Sequence, residues 1–435
     1  MKQVGEPVQL LYGTSAIEGK LRNRLEQDLS FAGRPTAYAG HNTHAFAAKF
    51  PPQLPRAFIE DLTSPGELVL DPMAGSGTAV VEAAVCGRVG IGADLDALAT
   101  AICDAKTRAV DPEVFAVLSD EIADHARLTI AHNGPNYAAR ALASFDAESS
   151  AFVRYWFTNE TIVELAALRD AVWTLTKTPY RRLFEVLFSS IIVTKSGGVS
   201  LARDLAHSRP HRVEGKPIKS AIQFFAEKAQ KLKNTLREVR SWPGISHVLR
   251  SDSRRLPLAD ETVDLVITSP PYANAIDYVR AHKFSLVWLG HSVQSMSRFR
   301  RCYIGAEVGL PAGERLRSET GNATVERIQR VDSRRAGVVR RYFCDMWAAL
   351  REMHRVLKAG KAAVVVVGSS TVRGVTVPTA VVLAELGESA GFKVVGVKER
   401  MIDRDRRLMP VSRVSKKEGI EARMHGEEVI AFVKG

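Results

Sequence analysis

Short apolar runs, glycine turns and amphipathic stretches alternate along the first quarter of the chain. Leu68-Val69-Leu70 predicts a buried strand, a glycine-rich turn follows it, and Thr78 to Val85 predicts a helix stopped by Gly87. Val89-Gly90-Ile91-Gly92-Ala93 predicts a second strand that ends at Asp94. A strand, glycine turn, helix, strand and acid in that order imply a parallel nucleotide-binding sheet. From about Asp111 to Trp242 the apolar period becomes helical. Ile218, Ala221, Ile222, Phe225, Ala229, Leu232, Leu236 and Val239 form one stripe, the core-facing side of a surface helix. Strand character returns at His247-Val248-Leu249 and at Val263 to Thr268. A helix is predicted from about Val338 to Leu357, then a strand from Ala362 to Val367, and Phe392 to Val397 with Glu428 to Lys434 predict a terminal strand pair. No repeat at a solenoid period is visible.

These elements divide the chain into an N-terminal extension (1–37), the first half of an α/β domain (38–110), a helical insertion (111–245) and the second half of the domain (246–435). The fold class expected is α/β, a Rossmann-like sheet interrupted by a helical insertion. Within the second half, 298–341 reads as an irregular excursion between the fourth and fifth strands. It holds eleven arginines, no lysine and five acids, so it carries +6, half the chain's net charge of +12.

Composition narrows the class. The chain has 435 residues, 46% hydrophobic and 25% charged, which suits a soluble globular protein of one large or two ordinary domains. The basic excess favours a polyanionic partner. Cys86, Cys103, Cys302 and Cys344 lie too far apart in sequence for metal-ligand spacing, and a disulfide framework is not expected. Met1 to Glu6 lacks the apolar core of a signal peptide, and the most apolar stretch, Ala362 to Gly368, is too short for a bilayer. The expected location is the cytoplasm, without a membrane partner.

The first chemical signal is Asp71-Pro72-Met73-Ala74-Gly75-Ser76-Gly77-Thr78, between strand and helix. Glycines let a ligand approach the backbone, and the helix N-terminus offers free N–H groups. The loop lacks the third glycine of the dinucleotide fingerprint and the lysine of a phosphate-binding loop. Asp94, at the end of the next strand, can accept both ribose hydroxyls. The combination fits an adenosine ligand without a polyphosphate, for which S-adenosylmethionine is the obvious choice; a purely structural turn is the alternative.

The second signal is Thr268-Ser269-Pro270-Pro271-Tyr272 directly after a buried run. Two prolines fix an extended, rigid exit. Ser269 Oγ and the Pro270 carbonyl would supply acceptors and the Tyr272 ring a stacking face, which matches an exocyclic amine on an extruded flat base.

Together, the two motifs resemble the paired cofactor and catalytic motifs of bacterial DNA amino-methyltransferases, the cytosine-N4 and adenine-N6 enzymes. Other matching segments are His44 to Pro52, Ser251-Asp252 through Leu258, Asn274 to Tyr278 and His282 to Gly290, so the likeness spans roughly Tyr38–Thr107 and Ser246–Gly435. It implies S-adenosylmethionine as cofactor, held by Lys49, Phe50, Asp71, Pro72, Met73, Ala74, Gly75, Gly77, Thr78, Asp94, Leu95, Asp252 and Ser253. Asp252 would meet the adenine amino group. Ser269, Pro270, Pro271 and Tyr272 would be catalytic. The implied activity is site-specific DNA methylation on double-stranded DNA, and a cognate restriction endonuclease and the oligomeric state stay open. Serine at the first catalytic position favours cytosine N4, with adenine N6 as the alternative, then an RNA base amine, then a non-catalytic DNA-binding protein. No cysteine stands where the C5-cytosine mechanism would need a nucleophile. The insertion falls between the second and third strands, which departs from the family's usual arrangements and leaves open which segment reads the target.

For DNA contacts, Arg327, Arg330, Arg334 and Arg341 share helical spacing and could track phosphates, or form a solvated face. Arg203, His207, Arg209, His211 and Arg212, in a stretch that also resembles a subset of these methylases, could grip the backbone or belong to a surface loop. Tyr155-Trp156-Phe157 could stack on a base; a core anchor is the stronger reading. Lys398 to Lys417 is basic, with contact and solubility unseparated.

Overall fold

The computed structural model describes residues 15–46, 48–133, 136–176, 179–194, 198–203, 210–273, 278–306, 315–402 and 425–435. Helix α1 (Ala16–Glu26) starts at Ser15, whose hydroxyl accepts from Glu18 N, and α2 (Gln53–Leu62) buries Leu54, Phe58 and Ile59. Strand β1 (Leu68–Asp71), helix α3 (Thr78–Val85), strand β2 (Val89–Asp94) and helix α4 (Ala97–Thr107) follow. The chain then leaves the sheet for α5 (Pro112–Asn133), α6 (Tyr137–Ala143), α7 (Ala147–Trp156), α8 (Asn159–Thr174) and α9 (Pro179–Ile192). A hairpin of β3 (Ala202–Arg203) and β4 (His211–Arg212) leads to α10 (Ala221–Val239). Strands β5 (Ile245–Arg250) and β6 (Val263–Thr268) return to the sheet. Helices α11 (Tyr278–Trp288), α12 (Val293–Phe299), α13 (Glu319–Gln329) and α14 (Ser333–Val356) precede β7 (Leu357–Val367). A hairpin of β8 (Ser370–Val372) and β9 (Val375–Val377), α15 (Thr379–Ser389), β10 (Phe392–Met401) and β11 (Gly426–Lys434) follow.

The central sheet runs β10-β11-β7-β6-β1-β2-β5. Its middle is parallel, from β5 through β2, β1 and β6 to β7, and β11 lies antiparallel between β7 and β10. Every residue of β6 is buried, as a strand covered on both faces requires. The chain passes from β1 to β2 on one side and later places β6 on the other. The carboxyl ends of β1 and β6 therefore flank a topological switch point, where open α/β sheets bind ligands.

The insertion packs around a large apolar cluster. Phe115 and Phe184 stack at 4.7 Å between ring centroids, Phe225 joins Phe184 at 6.2 Å, and the buried stripe of α10 runs from Ala221 to Val239. That cluster continues onto α4 through Leu98, Ala101 and Ile102 and onto α11 through Phe284 and Trp288, and one polar contact lies within it: Ser189 Oγ on α9 is 2.8 Å from both His44 Nε2 and Ser285 Oγ of α11, all buried.

Several sequence expectations change. The stretch 298–341, read as irregular, is mostly helical where described: α12 ends at Phe299, a 3₁₀ turn covers Arg300–Cys302, and α13 and α14 occupy the rest. Ser318 and Asp332 cap these helices, a signal hidden by the surrounding arginines. Strand β7 begins at Leu357 rather than Ala362, because Gly360 takes φ +72° and lets the chain bulge, with Lys358 reaching Asp264 at 2.9 Å. Strands β10 and β5 extend beyond their predicted ends by pairing along the sheet.

Gly77 caps α3 at φ +80°, and a Cβ there would overlap Cys103 Sγ. Strain and overlap act together, so Gly77→Ala should destabilise the protein by about 2–4 kcal/mol. Urea unfolding would measure it; a loss below about 0.5 kcal/mol would contradict this packing.

Candidate active site

A cleft opens at the switch point, where open α/β sheets place their ligands. Its floor is the glycine loop. Asp71 Oδ1 accepts from Thr268 Oγ1 at 2.6 Å and from Met73 N at 3.1 Å, which joins the ends of β1 and β6 and starts the turn. Burial pushes the Asp71 carboxyl up to about 7, against the pull of those two donors. Asp94 anchors the other side: Oδ2 accepts from Gly75 N and Oδ1 from Asp96 N, both at 2.8 Å. Burial and the neighbouring Asp96 raise Asp94 to about 6. Each Asp94 oxygen has a second lone pair, so two hydroxyl donors could still be accepted.

The loop is supported from beneath and covered from above. Lys106, fully buried on α4, donates to Ser76 O at 2.9 Å, and burial holds its ammonium well below the usual lysine range. Above, the Phe46 ring stands about 3.0 Å from where a Cβ on Gly75 would fall, and Gly75 takes φ +50°. Ser76 Oγ is buried with no hydrogen-bond partner among the described residues, and Ser76 lines the cleft. An orphan hydroxyl beside a glycine loop and a helix N-terminus calls for a polar ligand.

The structure brings most of the sequence-derived cofactor residues to this cleft. Lys49 and Phe50 line one wall; Asp71, Pro72, Met73, Ala74, Gly75 and Thr78 form the floor; Asp94 and Leu95 follow β2; Asp252 and Ser253 close the far side. Lys49 Nζ donates to His41 O at 2.7 Å. Gly77 does not face the cleft; it packs on Cys103. Asp252 is held by Arg254 through both oxygens (2.9 and 2.7 Å) and sits below the usual carboxylate range, since Arg254 outweighs the effect of burial.

Of the four residues expected to be catalytic, Ser269 and Pro271 line the cleft, and Pro270 is buried. Tyr272 does not offer an open stacking face. The residue is 8% exposed and its hydroxyl donates to Glu427 Oε1 at 2.6 Å, because the exit from β6 reaches past β7 to the start of β11. Phe46, Ser76 and His282, which fall in matched segments but were not singled out from the sequence, and Asp96 and Tyr303, which were missed, also line the cleft. Asp96 was findable as an N-cap two residues past Asp94; Tyr303 had no local signal.

The candidate DNA contacts are dispersed. Arg327 lies on α13, Arg330 caps it, and Arg334 opens α14, so the four arginines do not share one helix: Val331 and Asp332 turn the chain between them. Arg341 is inward, donating to Arg301 O at 2.6 Å. Arg203 is exposed on β3, whereas His207, Arg209, Asn274 to Asp277 and most of the basic stretch 398–417 lie outside the described residues. Phe157 is buried and Trp156 half-buried against Phe284, as a core anchor would be, while Tyr155 is 54% exposed beneath the Arg212 guanidinium.

The profile of a DNA methylase family matches residues 6–102, the stretch that holds the glycine loop and Asp94. The Type II methyltransferase M.MvaI of Kocuria varians is 24% identical over 387 residues, 84% of each chain. The Type II methyltransferase M.BsoBI of Geobacillus stearothermophilus is 22% identical over 475 residues, covering 93% of this chain and 90% of that one. The chain thus resembles the DNA amino-methyltransferases, with the family profile itself confined to residues 6–102. The family's methyl donor is S-adenosylmethionine. The methyltransferase also resembles the Type II methyltransferase M.MjaII of Methanocaldococcus jannaschii at 31% identity over 97 residues, 22% of this chain and 18% of that one. No helix among its described residues is long and apolar enough to cross a membrane.

The raised Asp71 carboxyl has a stability consequence. Folded Asp71 holds its proton up to about pH 7, whereas the ordinary value is 3.8, so its contribution is lost as pH rises through that window. Buried His44, lowered to about 3, acts in the opposite sense below 6.5. Comparing Asp71→Asn with wild type isolates the acid: as pH rises from about 4 to about 7, the variant should gain thermal stability relative to wild type. A relative stability that is flat or falls would contradict a buried, proton-holding Asp71.

Proposed function

We propose that the methyltransferase carries a methyl group from S-adenosylmethionine to an exocyclic amine of a base in double-stranded DNA, with cytosine N4 the favoured atom over adenine N6. The observation that carries this reading is the sharing of one cleft by the glycine loop and by Ser269 and Pro271. The Type II names of the relatives support DNA modification beside a restriction endonuclease.

Bound S-adenosylmethionine supplies an activated methyl group on a sulfonium. In this reading Asp94 accepts from the ribose hydroxyls, Ser76 and the start of α3 meet the polar amino-acid end, and Phe46 and Phe50 shield it. Ser269 Oγ and the carbonyl of the rigid Pro270 accept from the amine and aim its lone pair. The rate gain then comes from orientation and from hydrogen bonds that strengthen as charge builds on nitrogen. No buried base is required, since the methylated amine can release its proton to water. For Tyr272 to stack on a base, its ring must come away from Glu427, so base entry and the Tyr272–Glu427 bond are coupled. The basic stretch 298–341 and the helical insertion flank the duplex in this assignment, and phosphate neutralisation by the arginines supplies sequence-independent affinity.

Nucleoside mass spectrometry of bacterial DNA after expression tests the assignment. Wild type should produce N4-methylcytosine, and Ser269→Ala should lower its yield about 100-fold. N6-methyladenine instead would reverse the choice of base. A modified ribonucleoside, or no modified nucleoside from folded protein, would contradict a DNA substrate.

A further inference from the structure

One carboxylate at the cleft holds three chain segments together. Asp96 stands just past β2 with its side chain 4% exposed. Oδ1 accepts from Leu98 N at 2.7 Å and Ala99 N at 3.0 Å, which caps α4. Oδ2 meets two side chains from distant segments: His282 Nδ1 of α11 at 2.9 Å and the Tyr303 hydroxyl at 3.0 Å. Asp96, His282 and Tyr303 all line the cleft. Burial alone would push Asp96 up, yet the facing His282 and the hydrogen bonds to the carboxylate hold it well below the usual range. An ionised carboxylate can only accept, so Nδ1 of His282 carries a proton and Tyr303 donates.

The connectivity gives this arrangement reach. His282 sits on the helix that follows the Ser269–Tyr272 exit, packed against Phe46 at 5.4 Å between ring centroids. Tyr303 follows Cys302, whose carbonyl accepts from Arg254 at 2.7 Å, and Arg254 holds Asp252 on the far wall. Through two donors, Asp96 therefore ties the cofactor floor to the outgoing catalytic helix and to the segment beside Asp252.

We propose that Asp96 is a positioning residue for methyl transfer: acting through His282 and Tyr303, it fixes α11 and the 302–304 wall against the cofactor floor. This rests on reading the cleft as the S-adenosylmethionine site and goes beyond it by assigning what keeps donor and base walls in one geometry. A helix cap alone would not need it, because asparagine caps α-helices about as well as aspartate. In the Asp96→Asn variant the side-chain carbonyl could still accept from Leu98 and Ala99, but the amide hydrogens would face two further donors. That variant therefore separates the clasp from the cap.

The test combines calorimetric titration of S-adenosylmethionine with steady-state DNA methylation for Asp96→Asn, Tyr303→Phe and the double variant. Asp96→Asn should weaken cofactor binding about tenfold and lower kcat, with KM for DNA within about twofold of wild type. Tyr303→Phe, which removes a single hydroxyl, should act in the same direction and less strongly. The double variant should be no worse than Asp96→Asn, because both act through one carboxylate. Multiplying effects, or an Asp96→Asn variant that binds cofactor and turns over normally, would overturn the clasp and leave a helix cap. Wild-type protein that binds S-adenosylmethionine but methylates no DNA would overturn the substrate reading alone, since the titration series decides the clasp by itself. Wild-type protein that binds no S-adenosylmethionine would overturn both.

Discussion

The hydrogen bond from Thr268 Oγ1 to Asp71 Oδ1, 2.6 Å long and fully buried, joins the carboxyl ends of two neighbouring parallel strands. Each strand delivers one half of the site: β1 the glycine loop, β6 the Ser-Pro-Pro-Tyr exit. In a parallel sheet the ladder fixes the strands' spacing but not the path of the chain after each strand ends. The Asp71 carboxyl supplies that missing constraint, since the same oxygen also accepts from Met73 N and starts the turn. Asp94 repeats the device one strand over, gripping Gly75 N and Asp96 N. The cleft is thus shaped by carboxylates that bind backbone amides, and a basic chain keeps an acidic pocket at its centre.

Holding these groups buried has a cost that the surroundings offset in different ways. Asp71 and Asp94 are raised by burial, whereas Asp96, facing an imidazole and a phenol, is held ionised. Lys106 beneath the loop is pushed toward neutrality and still donates to Ser76 O. The three acids line one cleft and end in different states because their partners differ. The helical insertion is joined to this region by an apolar cluster shared with α4 and α11, within which the His44, Ser189 and Ser285 contact is the polar element.

Much of the sheet was legible because parallel strands buried on both faces read as unbroken apolar runs: Val263 to Thr268 has its predicted bounds, and the glycine turn and Asp94 stand where the pattern puts them. The arginine-rich stretch was misread for a physical reason. Its helices α13 and α14 are announced by Ser318 and Asp332 caps and by an apolar face with widely spaced members, and the charge between them looks like a loop. Tyr303 was illegible because it reaches the cleft across a long sequence separation, whereas Phe46 lay within the matched segment 44–52 and was not singled out. Tyr272 was legible as a residue beside the site, but its present contact with Glu427 depends on β11, 155 residues away in sequence.

The central claim is that the glycine loop and Asp94 hold S-adenosylmethionine beside Ser269. Calorimetric titration of the cofactor into wild type, Asp94→Ala and Ser269→Ala tests it most directly. Wild type and Ser269→Ala should bind one equivalent with similar affinity, and Asp94→Ala should lose binding by about two orders of magnitude, as removal of a doubly used, half-buried acceptor requires. Unchanged binding by folded Asp94→Ala would contradict the account.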